Sequence, residues 1–233
     1  MVKVVIADPH GCYKTLKKLF SKLPKDSEVY IAGDVTDKGP NTSGVIDFCV
    51  DNDFKLIRGN HDHMCIKYFH DFLNNIKIKD TKWYKHFGGI QTMKSYKNDK
   101  RKIHQHLKIL KKTPIYLETI AENQNYFITH GFGLPYYDIK DDFEKSHRPI
   151  MSNRVFSPYY NIRKVQELEK YNTINVFGHD SFPEIFKHEL FYGIDTGCVH
   201  GKTEDSKGVM TALILDTGEV IQTPLIDDVD FKE

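Results

Sequence analysis

The first third of the chain alternates short apolar runs with helical patterns, and this order strongly limits the possible folds. Residues 2–7 form a nearly continuous β-branched run, which is typical of a buried strand. Apolar residues then recur across 16–23 with the spacing of an amphipathic helix. A second strand is predicted at 29–32, a helix at 42–52 and a third strand at 54–57. This β-α-β-α-β order predicts an α/β fold.

The remaining two thirds add a helical segment and further strands. Residues 62–112 contain no convincing strand, and we expect a mostly helical insertion there. Strand patterns return in six segments, at residues 115–120, 126–129, 173–177, 190–194, 209–215 and 220–223. No linker rich in Gly, Ser or Pro divides the chain. We therefore expect a single domain over residues 1–233.

Charge and cysteine usage narrow the possible partners. Lys and Arg number 33 against 32 Asp and Glu, and this balance argues against a nucleic-acid partner. The four cysteines are scattered without a C-x-x-C pair, as expected for reduced thiols inside a cell. Neither a signal peptide nor an apolar segment of about 20 residues is visible, so we expect no membrane partner. These features predict a cytoplasmic protein.

Polar residues gather where the predicted strands end. Asp8 and His10 follow the first strand, and if the extended conformation persists, both side chains point to the same side. Four further strand ends carry Asp, Asn or His, in the segments 33–37 (GDVTD), 59–62 (GNHD), 129–131 (THG) and 178–180 (GHD). In open α/β sheets, ligands bind beyond the carboxyl ends of the strands. The sequence therefore predicts a binding site at this edge.

The residue types at these strand ends indicate a metal site. Asp, Asn and His suit divalent Mn, Fe or Zn, and two ions roughly 3.5–4 Å apart can clamp a phosphoryl group. The alternative is that these residues cap helices and form turns, which explains Asp26, Asn41 and Asp216. It does not explain three separate histidines at strand ends.

These blocks resemble the calcineurin-like metallophosphoesterases, and within them the phosphoprotein phosphatase branch. The likeness is to phage-lambda-type and bacterial Ser/Thr protein phosphatases, with symmetrical diadenosine tetraphosphate hydrolases nearby. It spans residues 3 to about 215 and includes softer blocks at 88–92 and 194–199. The resemblance implies an α/β fold with two sheets in a sandwich flanked by helices, and a metal site at the carboxyl ends of strands.

The resemblance also implies roles for individual residues. Two divalent metal ions are expected, with manganese favoured and iron or zinc as alternatives. Six residues would hold the metals: Asp8, His10, Asp34, Asn60, His130 and His179. Asp34 would bridge the two ions. His61 would protonate the leaving alcohol, oriented by Asp37. Arg58 and Arg154 would bind substrate phosphate.

Four positions differ from the residues that many members of this family carry. Ser181 stands where many metallophosphoesterases carry a second metal-binding histidine, which favours the phosphatase branch. Lys38 replaces an expected arginine and cannot form the same bidentate fork. Asp180 adds an acidic residue directly after His179, an expected ligand of the second metal ion. His200 is interpreted as a solvent-facing residue, with a position overhanging the site as the alternative.

Three functions remain open at this point. The resemblance implies a Ser/Thr protein phosphatase, a phosphoric monoester hydrolase in which a metal-bridging hydroxide attacks phosphorus directly. Its substrate would be a phosphoprotein or a small phosphorylated molecule. The first alternative is a symmetrical diadenosine tetraphosphate pyrophosphohydrolase with the same metal centre. The second is a non-catalytic interaction module with a decayed site, which predicts loss of a metal ligand or of the general acid.

Overall fold

Two five-stranded sheets form the framework of the protein. The computed structural model describes residues 1–156 and 162–229. The strands within these residues are β1 (Val2–Ile6), β2 (Ser27–Ile31), β3 (Lys55–Leu56), β4 (Tyr116–Ala121), β5 (Gln124–Thr129), β6 (Ile174–Phe177), β7 (Phe186–His188), β8 (Phe191–Gly193), β9 (Val209–Ile214) and β10 (Val220–Pro224). The first sheet has the order β10-β9-β1-β2-β3 and the second the order β4-β5-β6-β8-β7.

Helices flank both sheets. The α-helices are α1 (Tyr13–Phe20), α2 (Thr42–Asp51), α3 (Asn60–Leu73), α4 (Lys82–His86), α5 (Gly89–Tyr96), α6 (Lys100–Lys112) and α7 (Phe143–Ser152). Short 3-10 helices span Leu134–Ile139, Ile162–Tyr171 and Cys198–His200. The predicted α/β two-sheet sandwich flanked by helices is therefore confirmed.

Each sheet has a parallel centre, and this topology creates the binding edge. In the first sheet β1, β2 and β3 run parallel, whereas β9 runs antiparallel to both of its neighbours, β1 and β10. In the second sheet β5, β6 and β8 run parallel. The carboxyl ends of neighbouring parallel strands meet at one edge of a sheet, so the loops after them lie side by side.

Strand β1 is buried on both faces, which explains its continuous apolar sequence. Val4 and Ile6 pack into a cluster with α1, α2 and α3 residues, whereas Val5 faces the other sheet. That second cluster joins residues of both sheets, including Tyr30 of β2 and Val176 of β6. A strand covered on both sides has no solvent-facing positions, so it does not alternate with polar residues.

The segment between β3 and β4 contains the four helices α3 to α6. Two of them begin at capping side chains, since Thr81 accepts from the Tyr84 N–H and Asp99 from the Lys102 N–H. Trp83 is fully buried, and its ring stacks on Tyr68 with centroids 4.6 Å apart. Trp83 of α4 therefore packs against α3.

The strand predicted at 190–194 is shorter in the structure and belongs to a hairpin. It pairs antiparallel with β7, a three-residue strand at Phe186–His188 that the sequence pattern did not predict. So short a strand offers too few positions for a two-residue period to be recognised. Among the described residues, no helix combines the length and apolar character needed to cross a bilayer.

Burial of α1 against the first sheet predicts a large effect of Leu16→Ala. Leu16 is fully buried in the cluster that joins α1 to the sheet. Its truncation should lower the free energy of unfolding by about 2–5 kcal/mol, because buried methyl groups and packing are lost. Urea denaturation followed by circular dichroism measures this change.

The matched control is Ile120→Ala, since this side chain is 60% exposed. It should change stability by no more than about 0.5 kcal/mol. Equal losses in the two variants would contradict the packing described here.

Candidate metal centre

The loop after β1 turns sharply instead of continuing the strand. Asp8 and His10 have left-handed backbone angles, with φ of 48° and 39°. The expectation that an extended conformation brings their side chains together is therefore wrong. The His10 N–H donates to the Asp34 carbonyl over 2.8 Å, so the loop folds back onto the end of β2. This turn brings both side chains into one buried cluster.

Asp34 lies at the centre of that cluster. Its Oδ2 atom is 3.5 Å from His10 Nε2 and 3.2 Å from His130 Nε2. Its Oδ1 atom accepts a hydrogen bond from the backbone N–H of His61 over 2.9 Å. A side chain on Gly59 would come within 2.0 Å of Oδ1, so only glycine fits beside this carboxylate.

Backbone carbonyls orient two of the imidazoles. His10 Nδ1 lies 2.8 Å from the Thr36 carbonyl, and His130 Nδ1 lies 2.8 Å from the Ala32 carbonyl. A carbonyl can only accept, so each Nδ1 donates to it, and each Nε2 is the ring atom that a metal ion could contact. Both Nε2 atoms face carboxylates. Metal-binding histidines in proteins are held in this way.

The structure brings Asn60 and His179 to the same cluster. Asn60 Oδ1 lies 2.9 Å from His130 Nε2. The ring of His179 is 5.1 Å from that of His130, and its backbone N–H donates to Asp8. All six predicted metal ligands therefore gather in one place, although their role in metal binding stays a prediction.

The electrostatics of the cluster fit a divalent cation. Burial raises the pKa of Asp8 well above its usual range, helped by the charges of Asp195 and Asp34. Burial alone would lower the pKa of His130, but the charges of Asp34 and Asp8 outweigh it and raise that pKa to about 10. Buried carboxylates that draw a proton onto a neighbouring imidazole are short of positive charge. A metal ion supplies that charge.

Two overlapping groups of donor atoms lie close enough to hold an ion. One comprises His10, Asp34 and His61, and the other Asp8, Asp34 and His130, each with donor atoms within 4.8 Å of one another. Asp34 belongs to both groups, in agreement with its expected bridging position. The structure places His61 among the possible ligands as well, a position that the sequence did not predict.

His61 forms a buried pair with Asp37. His61 Nδ1 lies 2.9 Å from Asp37 Oδ2. Trp83 Nε1 and Thr92 Oγ1 each donate to Asp37 over 2.8 Å. Burial raises the pKa of Asp37, although the bonds from His61, Thr92 and Trp83 oppose that rise. The carboxylate is thereby fixed and can orient the imidazole.

Sequence reasoning missed three residues that support this centre. Trp83 and Thr92 hold Asp37, and only the block 88–92 gave a signal for the second. Asp62 is buried and accepts hydrogen bonds from the N–H groups of Asp34, Thr36 and Gly59, over 2.9–3.1 Å. Asp62 therefore ties the loop after β2 to the start of α3.

A cavity of about 610 Å³ opens beside the cluster. Lys38 and Arg154 line it, together with Asp195, Ser181 and His200. Lys38 Nζ is 3.0 Å from His10 Nε2 and 3.4 Å from His200 Nε2. His200 is thus exposed and at the same time overhangs the site, so the interpretation as a purely solvent-facing residue is incomplete.

The two predicted phosphate-binding arginines differ in position. Arg154 lines the cavity and forms an ion pair with Asp180, which neutralises the extra acidic charge there. Arg58 does not line the cavity, because its Nη2 donates to the Lys111 carbonyl over 2.8 Å. The predicted contact of Arg58 with a phosphate therefore requires a different side-chain rotamer.

Comparison with known proteins decides the family. The profile of the calcineurin-like phosphoesterases matches residues 1–183. The chain belongs to this family. Members bind divalent metals and hydrolyse phosphoesters, in agreement with the donor set described above.

The known proteins that this phosphoesterase is similar to include two kinds of tetraphosphatase and, by fold alone, a protein phosphatase. The chain is 26% identical over 240 residues to the asymmetrical bis(5'-nucleosyl)-tetraphosphatase of Oceanobacillus iheyensis, covering 84% of each chain. A symmetrical bis(5'-nucleosyl)-tetraphosphatase of Proteus mirabilis is 33% identical over 67 residues, 27% of this chain and 24% of that protein. A protein serine/threonine phosphatase of Saccharomyces cerevisiae shares the fold, with a TM-score of 0.60 and 16% identity over 99% of this chain and 81% of that one.

The charge deficit of the cluster predicts that metal stabilises this phosphoesterase. Metal at a hundredfold excess over its dissociation constant adds about 2.7 kcal/mol. Chelation should therefore lower the melting temperature by about 5 °C or more. In Asp34→Asn the difference in melting temperature between metal-loaded and chelated protein should be less than about 2 °C, because the ligand common to both groups is weakened.

Differential scanning fluorimetry with and without a chelator measures this difference. The control is Asp53→Asn, an exposed aspartate paired with Lys55. It should keep the full difference in melting temperature. An undiminished difference in Asp34→Asn would show that the metal binds elsewhere.

Proposed function

We propose that this phosphoesterase hydrolyses phosphate anhydrides in nucleoside-capped polyphosphates, with dinucleoside tetraphosphates as the substrate class. The observation that carries the proposal is the cavity, which joins the carboxylate–histidine cluster to two cations, Lys38 and Arg154. One phosphoryl group can be held at the cluster itself. A polyphosphate carries further charges, which the two cations can contact. The name of the Oceanobacillus relative supports the same class.

The six clustered residues would hold two divalent ions, and we propose manganese as the metal. When bound, the ions supply Lewis-acid stabilisation of the phosphoryl oxygens. Asp8, Asp34 and His130 are almost fully buried, so their positions change little when substrate enters. The preorganised ligands would fix the reacting phosphoryl group at the cluster.

Lys38 and Arg154 bind and orient the substrate in this proposal. Both side chains lie close enough to His179 that their charges lower its pKa, although burial contributes more. Arg154 is already fixed by Asp180, and it presents the remainder of its planar fork to the cavity. Lys38 contributes a point charge that can follow different phosphate positions. The pair therefore suits an extended anion.

His61 can supply a proton to a leaving oxygen, and this contributes most where the leaving group is poor. The Asp37 carboxylate accepts a hydrogen bond from His61 Nδ1, so Nε2 is the ring atom that can give a proton to the substrate. Trp83 and Thr92 hold Asp37 in turn, so the imidazole keeps one orientation. General acids in such positions contribute about 10²–10⁴-fold to the rate.

A Ser/Thr protein phosphatase, the activity implied by the phosphatase-branch resemblance, is the second candidate. The observation that favours it is the buried His61–Asp37 pair. A serine or threonine alkoxide is a poor leaving group and requires a proton, whereas a nucleotide phosphate leaves as a stable anion. The non-catalytic alternative lacks support, because every predicted ligand and the acid are present.

A substrate competition tests the proposal. The manganese-loaded protein is incubated with diadenosine tetraphosphate and a phosphothreonine peptide together, and the products are followed by mass spectrometry. We expect nucleotides to appear before free phosphate. ADP alone would indicate symmetrical cleavage, and ATP with AMP asymmetrical cleavage. Peptide dephosphorylation with intact dinucleotide would overturn the proposal in favour of the second candidate.

The role of His61 predicts that His61→Asn depends on the leaving group. Hydrolysis of an alkyl phosphate should slow by about 10²-fold or more, and that of p-nitrophenyl phosphate much less, since nitrophenolate needs little protonation. Metal content, measured by mass spectrometry of the elements, should stay unchanged. The control His86→Asn alters an exposed histidine and should keep both rates. Equal losses on the two esters would contradict the acid role.

A further inference from the structure

Four basic side chains gather where α3 meets α7, outside the cavity. Arg58 precedes α3, His63 lies on its first turn, and His147 and Arg148 lie on α7. The rings of His63 and His147 are 5.8 Å apart. Burial lowers the pKa of His63, and the charges of Arg58, His147 and Arg148 lower it further. We call these four residues the α3–α7 basic cluster.

The cluster has no acidic partner within the described part of the chain. No carboxylate of residues 1–156 or 162–229 lies within salt-bridge distance of any of its members. Asp62 acts on Arg58 only at longer range, since its oxygens accept from three backbone N–H groups. The Nε atom of Arg58 is buried without a hydrogen-bond partner. Such a concentration of unmatched donors is typical of an anion site.

The neighbouring residues fix the side chains of the cluster. His147 Nδ1 lies 2.6 Å from the Phe143 carbonyl, and the Phe143 ring stacks on the imidazole at 4.7 Å. The carbonyl must accept, so Nδ1 donates there and Nε2 is left for another ligand. Arg148 is exposed and carries a planar fork that matches a phosphate group.

The metal centre and the cluster share helix α3, and α7 of the cluster ends close to the cavity in sequence. His63 lies three residues after Asn60, which is about one turn of α3. α7 ends at Ser152, two residues before Arg154 of the cavity. A chain of phosphoryl groups leaving the cavity along α3 would therefore reach the cluster.

We propose that the α3–α7 basic cluster binds the phosphoryl groups of the substrate that do not react, and so selects polyphosphates over simple monoesters. This inference rests on the proposed function, because a monoester has no second phosphoryl group. The cluster acts in binding, and the metal centre acts in the reaction. The two can therefore be separated by experiment.

The first test compares two substrates in the manganese-loaded full chain. Arg148→Gln, His147→Gln and the double variant are assayed with diadenosine tetraphosphate and with p-nitrophenyl phosphate. Loss of a charge-assisted hydrogen bond should raise KM for the tetraphosphate about tenfold in the double variant. KM for the monoester should rise less than about twofold.

The matched control is Lys145→Gln, which removes an α7 cation paired with Asp142. It should leave KM for both substrates as in the wild type. Equal changes of KM for the two substrates in the double variant, or an unchanged KM for the tetraphosphate, would overturn the proposal.

A second test does not require the dinucleotide to be a substrate. Inorganic tripolyphosphate and orthophosphate are compared as inhibitors of p-nitrophenyl phosphate hydrolysis, with free manganese held constant. Tripolyphosphate should inhibit the wild type more strongly than orthophosphate does. In the double variant the ratio of the two inhibition constants should fall about tenfold. Equal inhibition of the wild type by both anions would overturn the cluster proposal even if the dinucleotide is cleaved. Loss of the advantage without dinucleotide cleavage would sustain the cluster and refute the proposed function.

Discussion

The buried carboxylate of Asp34 is the constraint on which the site depends. Asp34 is only 2% exposed and lies among the imidazoles of His10, His61 and His130. Its carboxylate accepts a hydrogen bond from the backbone N–H of His61 and faces the Nε2 atoms of His10 and His130. Burial alone would raise the pKa of this carboxyl, but the charges of His130 and His61 hold it well below its usual range. A charge in that position must be matched by positive charge. Gly59 leaves room for this carboxylate, and the hydrogen bond from the His10 N–H to the Asp34 carbonyl brings the loop after β1 beside it.

The requirement is met at a cost in backbone conformation. Asp8, His10, Asp34, Asp37 and His179 all have positive φ angles. Residues in this left-handed region cost on the order of 1–3 kcal/mol each and persist only where the surrounding structure enforces them. Here the enforcement comes from the two packed sheets and from Asp62, which binds three backbone N–H groups. These five positions therefore lie where the ligands must converge.

Much of the architecture could be predicted from local patterns. The β-branched run before Asp8 indicated a strand with two buried faces, and the structure places Val4 and Val5 in two separate apolar clusters. The six expected metal ligands lie together because each follows a strand or hairpin that ends at the same edge. Residue type and position along the chain were sufficient for these predictions.

Other features depend on contacts that no local pattern records. The left-handed turn at Asp8 arises from pairing of its loop with the end of β2, so an extended conformation was the wrong expectation. The indole N–H of Trp83 reaches Asp37 only through the fold of the helical segment. The Arg58 side chain turns towards Lys111, more than fifty positions away along the chain. Rotamers and long-range partners are set by tertiary structure.

The central proposal is that Asp34, the residue common to both groups of donor atoms, would hold both metal ions. The most direct test is a crystal structure of the manganese-loaded protein with anomalous diffraction measured at the manganese absorption edge. The account predicts two anomalous peaks, roughly 3.5–4 Å apart, with one on either side of the Asp34 carboxylate. One peak without its neighbour, or two peaks that do not contact Asp34, would contradict it.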